Sequence, residues 1–293
     1  MTLADSIGVA TGQPFEISER RPVGGGDINQ AEHLTGRDGR HFFVKLNRAE
    51  RRDMFAAEAE GLAELANSGA LRVPRPVCTG LEGSRAFLVL EFLDLDGRGD
   101  PAELGRGLAA LHRTRAPAHG WHRDNTIGAT PQPNAWQADW LDFLREQRLG
   151  YQFQLAEVKG APRRLLQQGE RLLTSLPLFF QGYSPKPSLL HGDLWGGNYG
   201  YSGGQPVLFD PAVYFGDREA DLAMTELFGG FPPGFYAAYR EAWPLDPGYA
   251  TRKTLYNLYH VLNHFNLFGG GYAGQAERMV ARLLSEIGSG PCA

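Results

Sequence analysis

The run HGDLWGGN at residues 191–198 places an aspartate, Asp193, five positions before an asparagine, Asn198. Twelve positions further on, the apolar stretch VLFD ends in a second aspartate, Asp210. One carboxylate can meet a nucleophilic hydroxyl while an amide oxygen and another carboxylate hold Mg²⁺ against phosphate oxygens, and phosphoryl transfer needs that set. Asp193 is therefore the candidate catalytic base, and Asn198 and Asp210 are the candidate metal ligands. Singly, each has an ordinary explanation, because Asp, Asn and Gly dominate turns and a strand-end Asp can be a cap. What is specific is the joint spacing, with each piece following an apolar strand. In protein kinases the corresponding pieces are the loop H-R-D-x-x-x-x-N and a later D-F-G. Here HGD replaces the first, and Asp210-Pro211-Ala212 replaces the second.

A second cluster lies nearer the N-terminus. Lys45 interrupts the apolar strand FFVKL, where a charge is costly unless it is paired or faces a ligand. Glu58, thirteen residues on, shares a helix face with Phe55, Leu62 and Leu65, which favours it over Glu60 as the partner. Such a pair orients a lysine onto the α- and β-phosphates of ATP. A strand lysine and a helix glutamate both facing solvent explain the same letters. Gly24, Gly25 and Gly26 form a turn that, ahead of Lys45, reads as a flap whose N–H groups cover phosphates. It is neither a G-x-G-x-x-G fingerprint nor a Walker loop. The segment ending in Glu91, Phe92 and Leu93 is expected to join two lobes and to meet adenine through its backbone; a buried strand with a polar end fits equally well.

These groups need elements to hold them. Residues 14–18, 30–35, 41–46 and 86–91 read as strands, and residues 49–67 as a helix closed near Gly69. The polar, glycine-containing stretch at 94–101 marks a boundary. It divides a nucleotide-binding lobe at 1–93 from a mainly helical catalytic and substrate-binding lobe at 94–293. In the second lobe Asp100 can cap a helix with Pro101 in its first turn, and Leu104, Leu108 and Leu111 form its apolar face. Further helices are expected at 136–149, 164–176, 219–228, 233–242, 249–268 and 273–287, with short strands at 188–190 and 206–209. The fold class is thus α+β: a small antiparallel-sheet lobe with one helix, followed by a larger helical lobe.

Composition narrows the function classes. The 293 residues carry a net charge of −4, so no basic field points to nucleic acid. Cys78 and Cys292 are far apart and lack metal spacing, which fits a reducing compartment and argues against zinc. No basic start followed by an apolar run precedes residue 20, and no stretch has the roughly 18 apolar residues of a membrane span. A cytoplasmic protein, monomeric by preference, is expected. His112 reads as a packed core histidine. His260 and His264 are one helical turn apart, but no glutamate follows the first, so a zinc site is a poor reading. Arg48, Arg51 and Arg52 read as a solvated face.

The runs LLHGDLWGGN, VLFDPAVYFGDREADLAM and LNHFNLFGGGY resemble the fructosamine kinase (ketosamine-3-kinase) family, as do FFVKLNRAERRDMFAAEAEGL and HGWHRDNTIGATPQPNAWQADWLDFLREQRL. The resemblance covers nearly the whole chain, and Trp195 within HGDLWGGN makes it specific. It implies the two-lobed aminoglycoside-phosphotransferase-like kinase fold, with ATP and Mg²⁺. It also implies transfer of the γ-phosphate to the 3-hydroxyl of a ribulosamine or fructosamine, free or on a protein, which destabilises the adduct and frees the amine. On this resemblance Trp195 and His264 line the sugar pocket. Many members carry a cysteine after the loop glycines; Asp27 stands there in this chain, so no thiol switch is expected. Two other readings stay open. An aminoglycoside or choline kinase would want acidic groups around its acceptor, for which Glu219 and Asp221 are candidates; a non-catalytic pseudokinase would not need the intact set of Lys45, Asp193, Asn198 and Asp210.

Overall fold

The computed structural model describes residues 1–24 and 28–288. Gly25, Gly26, Asp27 and Cys292 lie outside the described residues.

The chain opens with a helix, α1 (Leu3–Thr11), set by a reciprocal cap between Thr2 and Asp5 and stopped at Gly12, whose φ is 71°. The sequence reading assigns no element here, because Leu3 and Ile7 are the only large apolar side chains that α1 buries. Strands β1 (Ile17–Val23), β2 (Gln30–Gly36) and β3 (His41–Arg48) follow. After a 3₁₀ turn at Ala49–Arg51 comes α2 (Arg52–Asn67), then β4 (Pro76–Glu82) and β5 (Arg85–Glu91). They form one antiparallel five-stranded sheet of order β1-β2-β3-β5-β4. The strand expected at 14–18 begins only at Ile17, since Phe15 is buried against Phe42 at the base of the sheet. The edge strands β1 and β4 carry weak sequence signals: β1 is exposed along nearly its whole length and β4 contains Pro76 and Gly80.

Alternation along β3 settles where its lysine goes. Phe42, Val44 and Leu46 turn to one face, packing with Leu34, Phe87 and Val89 against Leu3 and Ile7. Phe43 and Lys45 therefore turn to the other face, where Phe55, Leu62 and Leu65 of α2 cover Ala86, Leu88 and Leu90 and run into the main core.

The remainder is mostly helical. Asp100 caps α3 (Pro101–Leu111), accepting from the Ala102 N–H at 2.8 Å. A hairpin, β6 (Asn125–Ile127) and β7 (Thr130–Gln132), precedes α4 (Trp140–Phe143), a π-helical stretch Leu144–Leu149 and α5 (Gly150–Val158). The helix expected at 136–149 thus starts later and runs longer. Asp139 caps it by accepting from Leu141 and Asp142 N–H, which leaves Trp136 outside and 45% exposed. Next come α6 (Arg163–Thr174), β8 (Ser188–Leu190), β9 (Tyr199–Ser202), β10 (Gln205–Leu208) and β11 (Tyr214–Gly216). Strand β8 pairs with β11 and β9 with β10, giving two short ribbons. Helices α7 (Glu219–Thr225), α8 (Pro233–Ala242), α9 (Tyr249–Phe268) and α10 (Tyr272–Gly288) complete the described residues. Among the described residues no helix is long and apolar enough to cross a membrane.

Burial leaves a titratable mark. His119 packs against Trp140 with ring centroids 5.1 Å apart, and burial pushes its pKa down to about 4. The folded protein then keeps this ring neutral below the ordinary histidine pKa while the unfolded chain takes up a proton. The contribution of His119 to stability is intact above that pKa and is lost as pH falls towards the folded value. His119→Gln should remove it. The stability gap between wild type and variant should shrink by about 1 kcal/mol per pH unit between roughly pH 6 and 5, measured by urea unfolding at each pH. A constant gap would contradict the assignment.

Candidate active site

The loop 191–198 hangs between β8 and β9, and its first turn is anchored from below. Asp221, on α7, accepts the His191 N–H at 2.7 Å and the Gly192 N–H at 2.8 Å, and it meets His112 Nε2 at 3.1 Å. Burial opposes its charge, but the His112 bond and these donors more than offset that and hold its pKa below the usual carboxylate range. Gly192 is required: its φ is +83°, and a Cβ there would overlap the Ala212 carbonyl. The His191 ring donates from Nε2 to the Phe209 carbonyl at 2.9 Å, tying the loop to the approach of Asp210. Asp221 was read above as a group facing a cationic acceptor, together with Glu219. That reading is corrected: both are buried, and Glu219 is bound by Arg252 at 2.7 and 3.0 Å. His112 is the packed core histidine expected, bonded on its other nitrogen to the Tyr239 hydroxyl at 2.8 Å.

Asp193, Asn198 and Asp210 come together. Asn198 donates from Nδ2 to the Asp193 carbonyl at 2.8 Å, to Asp193 Oδ2 at 3.3 Å and to the Asp210 carbonyl at 3.4 Å. Among the described residues Asp210 alone of the non-glycines has positive φ, at 57°. Aspartate is among the few residues with a Cβ that adopt this region, and there only as single residues. Burial, and then repulsion from Asp210, push the Asp193 pKa up to about 7. Two carboxylates and an amide suit a hard divalent cation, and such a charge would relieve the repulsion that raises Asp193.

Lys45 bonds Glu58 at 2.5 Å and Asp210 at 2.7 Å, so one ammonium links the sheet, α2 and the Asp210 loop. Burial opposes its charge, but Asp210 and Glu58 prevail and hold its pKa above the usual lysine range. Glu60 is engaged elsewhere, with Arg123 at 2.5 Å and His122 at 2.8 Å. Past β5, Phe92 stacks on His33 at 3.8 Å, and the Glu91 carboxylate meets Arg72 at 3.1 Å and Arg75 at 3.3 Å.

One cavity of about 780 Å³ touches Gly24, Lys45, Glu58, Glu91, Phe92, Leu93, Asp193, Trp195, Asn198, Asp210 and His264, but neither Glu219 nor Asp221. At one part of its wall Trp195, 38% exposed, faces Phe228 at 6.5 Å, and His264 lies 5.0 Å from Phe228 and 5.2 Å from Tyr272. Phe228 and Tyr272 were not singled out from sequence, because LFGG and FGGGY read as helix ends. His264 Nδ1 engages the His260 carbonyl at 2.8 Å, so within their helix this pair makes an i, i+4 contact to backbone.

Sheet, helical region and cleft together define a kinase-like phosphotransferase fold. A macrolide 2'-phosphotransferase matches with a TM-score of 0.61 over 98% of both chains at 15% identity, a likeness of fold alone. A candidate fructosamine-3-kinase from Haemophilus somnus matches far better, with a TM-score of 0.88 and 30% identity over 97% of both chains. The fructosamine kinase family model matches residues 1–286, and the chain belongs to that family. A probable ketoamine kinase of Synechocystis sp. is 50% identical, covering 97% of this chain and 96% of its own. The chloroplastic protein-ribulosamine 3-kinase of Arabidopsis thaliana is 42% identical over 92% of this chain and 83% of its own.

The hold of Asp221 on the loop gives a measurable expectation. Asp221→Asn keeps the shape but removes the acceptor for at least one of the two N–H groups, and should cost about 3 kcal/mol of stability. Denaturant unfolding checks this, and a loss under about 1 kcal/mol would show that the loop does not depend on the carboxylate.

Proposed function

We propose that this chain transfers the γ-phosphoryl group of ATP to the 3-hydroxyl of a ketosamine. The observation that carries the reading is the single cavity shared by Lys45, Glu58, Asp193, Asn198 and Asp210 in a fructosamine kinase family member. Residues 1–93 serve as the nucleotide-binding lobe and 94–293 as the catalytic and substrate lobe. Backbone at Glu91, Phe92 and Leu93 meets adenine, and Gly24 with its neighbours covers the phosphates. Lys45, steered by Glu58, turns from Asp210 to the α- and β-phosphates. Asn198 and Asp210 would hold the divalent cation, Mg²⁺ in this reading, which would supply charge neutralisation to the phosphates. Asp193 orients the acceptor hydroxyl and receives its proton. That oxygen forms the new bond to the γ-phosphorus as the bond to the β–γ bridging oxygen breaks, and ADP leaves with the electron pair. Most of the acceleration comes from positioning and electrostatics.

Trp195 and His264, with Phe228 and Tyr272 beside them, receive the sugar–amine. Relatives named ketoamine kinase and protein-ribulosamine 3-kinase support this acceptor over an aminoglycoside or choline. So does the burial of Glu219 and Asp221, which removes two carboxylates that a polycationic acceptor would have met.

Asp193→Asn should lower kcat by about 10²- to 10⁴-fold while the Kd for ATP stays within a few-fold, as read by coupled assay and calorimetry. Near-normal turnover would refute the role. Ribulosamine, fructosamine, an aminoglycoside and choline assayed side by side should give turnover with the ketosamines; turnover confined to the last two would overturn the proposed acceptor.

A further inference from the structure

Outside the groups that face the cavity, a buried polar lattice joins the β6–β7 hairpin to the loop that carries Asp210. Gln132, only 1% exposed, donates from Nε2 to the Ala212 carbonyl at 3.1 Å and to Asn125 Oδ1 at 2.8 Å. Its Oε1 accepts the Tyr259 hydroxyl of α9 at 2.7 Å. Asn125 donates to the Val213 carbonyl at 2.8 Å, so two successive carbonyls of that loop are held from the hairpin. Ala212 is two residues past Asp210, and its N–H donates to the His191 carbonyl at 2.8 Å. The Ala212 residue is thereby gripped on one side by the catalytic loop and on the other by Gln132. Aspartate tolerates positive φ better than most residues but still less well than the ordinary regions, so contacts from neighbouring elements help to hold the Asp210 loop in this conformation. The far end of the same hairpin reaches the cavity, whose wall includes Thr126, Ile127 and Gly128.

We propose that Gln132, braced by Tyr259 and Asn125, is the positioning residue for Asp210. It fixes the Ala212 carbonyl so that the Asp210 carboxylate keeps the orientation needed to hold a metal-bound nucleotide. This rests on reading Asp210 as the cation-holding carboxylate. Gln132 touches no reacting atom. A buried amide whose donors and acceptor are all engaged is a rigid strut, and removing it leaves the Ala212 carbonyl buried without this donor. The loop can then relax away from its strained conformation.

The test is calorimetric titration of ADP into the full-length protein, once with Mg²⁺ and once with EDTA. For wild type, Mg²⁺ should tighten ADP by about tenfold or more. Gln132→Met preserves bulk but neither donates nor accepts in the same way; it should reduce that gain to about threefold or less, leave the EDTA affinity unchanged, and lower kcat with an unchanged acceptor KM. Tyr259→Phe keeps the amide and loses only its brace, so it should shift the gain in the same direction by less; it carries the test if Gln132→Met fails to fold. Variants that fold and retain the full Mg²⁺ gain overturn the inference alone. A wild-type protein whose ADP affinity ignores Mg²⁺ overturns the role given to Asp210 and the inference with it.

Discussion

A buried ammonium clamped between two carboxylates is the interaction on which the site's arrangement depends. Lys45 sits in the sheet, Glu58 on the helix that covers it, and Asp210 on a loop more than 150 residues away in sequence. Desolvating a lysine is costly, so the folded chain must bring both acids to it. That requirement ties the orientation of α2 to the sheet and the sheet to the Asp210 loop.

The remaining polar groups of the site divide into those that face the cavity and those that hold them. Asp193, Asn198 and Asp210 face it, while Asp221, His112, His191 and Gly192 set the backbone beneath. The acids of α7 are thereby consumed. Asp221 is spent on two N–H groups and a histidine, and Glu219 on Arg252, itself bonded also to Asp246 at 2.7 Å. Buried carboxylates with full sets of partners are scaffolding, and only those with room in front of them are available to a ligand. This is why proximity in sequence to Asp210 misled as to Glu219 and Asp221.

Several elements are legible in the sequence because a local rule fixes them. The Asp100–Pro101 cap, the apolar stripe of α2 and the alternation of β3 each follow from a few neighbouring residues. Others resisted for equally local reasons. Helix α1 is short and buries two large apolar side chains, the edge strand β1 lacks alternation while β4 carries Pro76 and Gly80, and the start of α4 is set by Asp139 rather than by the aromatic Trp136.

The sequence by itself singled out Asp193, Asn198 and Asp210, which line one cavity, because HGDLWGGN and the later Asp210 keep a spacing that chance turns do not share. It also determined the preference for Glu58 over Glu60, since helical periodicity assigns each residue a face. Only the tertiary structure decided which acids line the cavity and which are buried supports, and that Phe228 and Tyr272 complete the aromatic wall beside His264. Those outcomes turn on contacts between segments far apart in the chain, where burial and hydrogen-bond partners come from the packing of whole elements and leave no trace in local pattern.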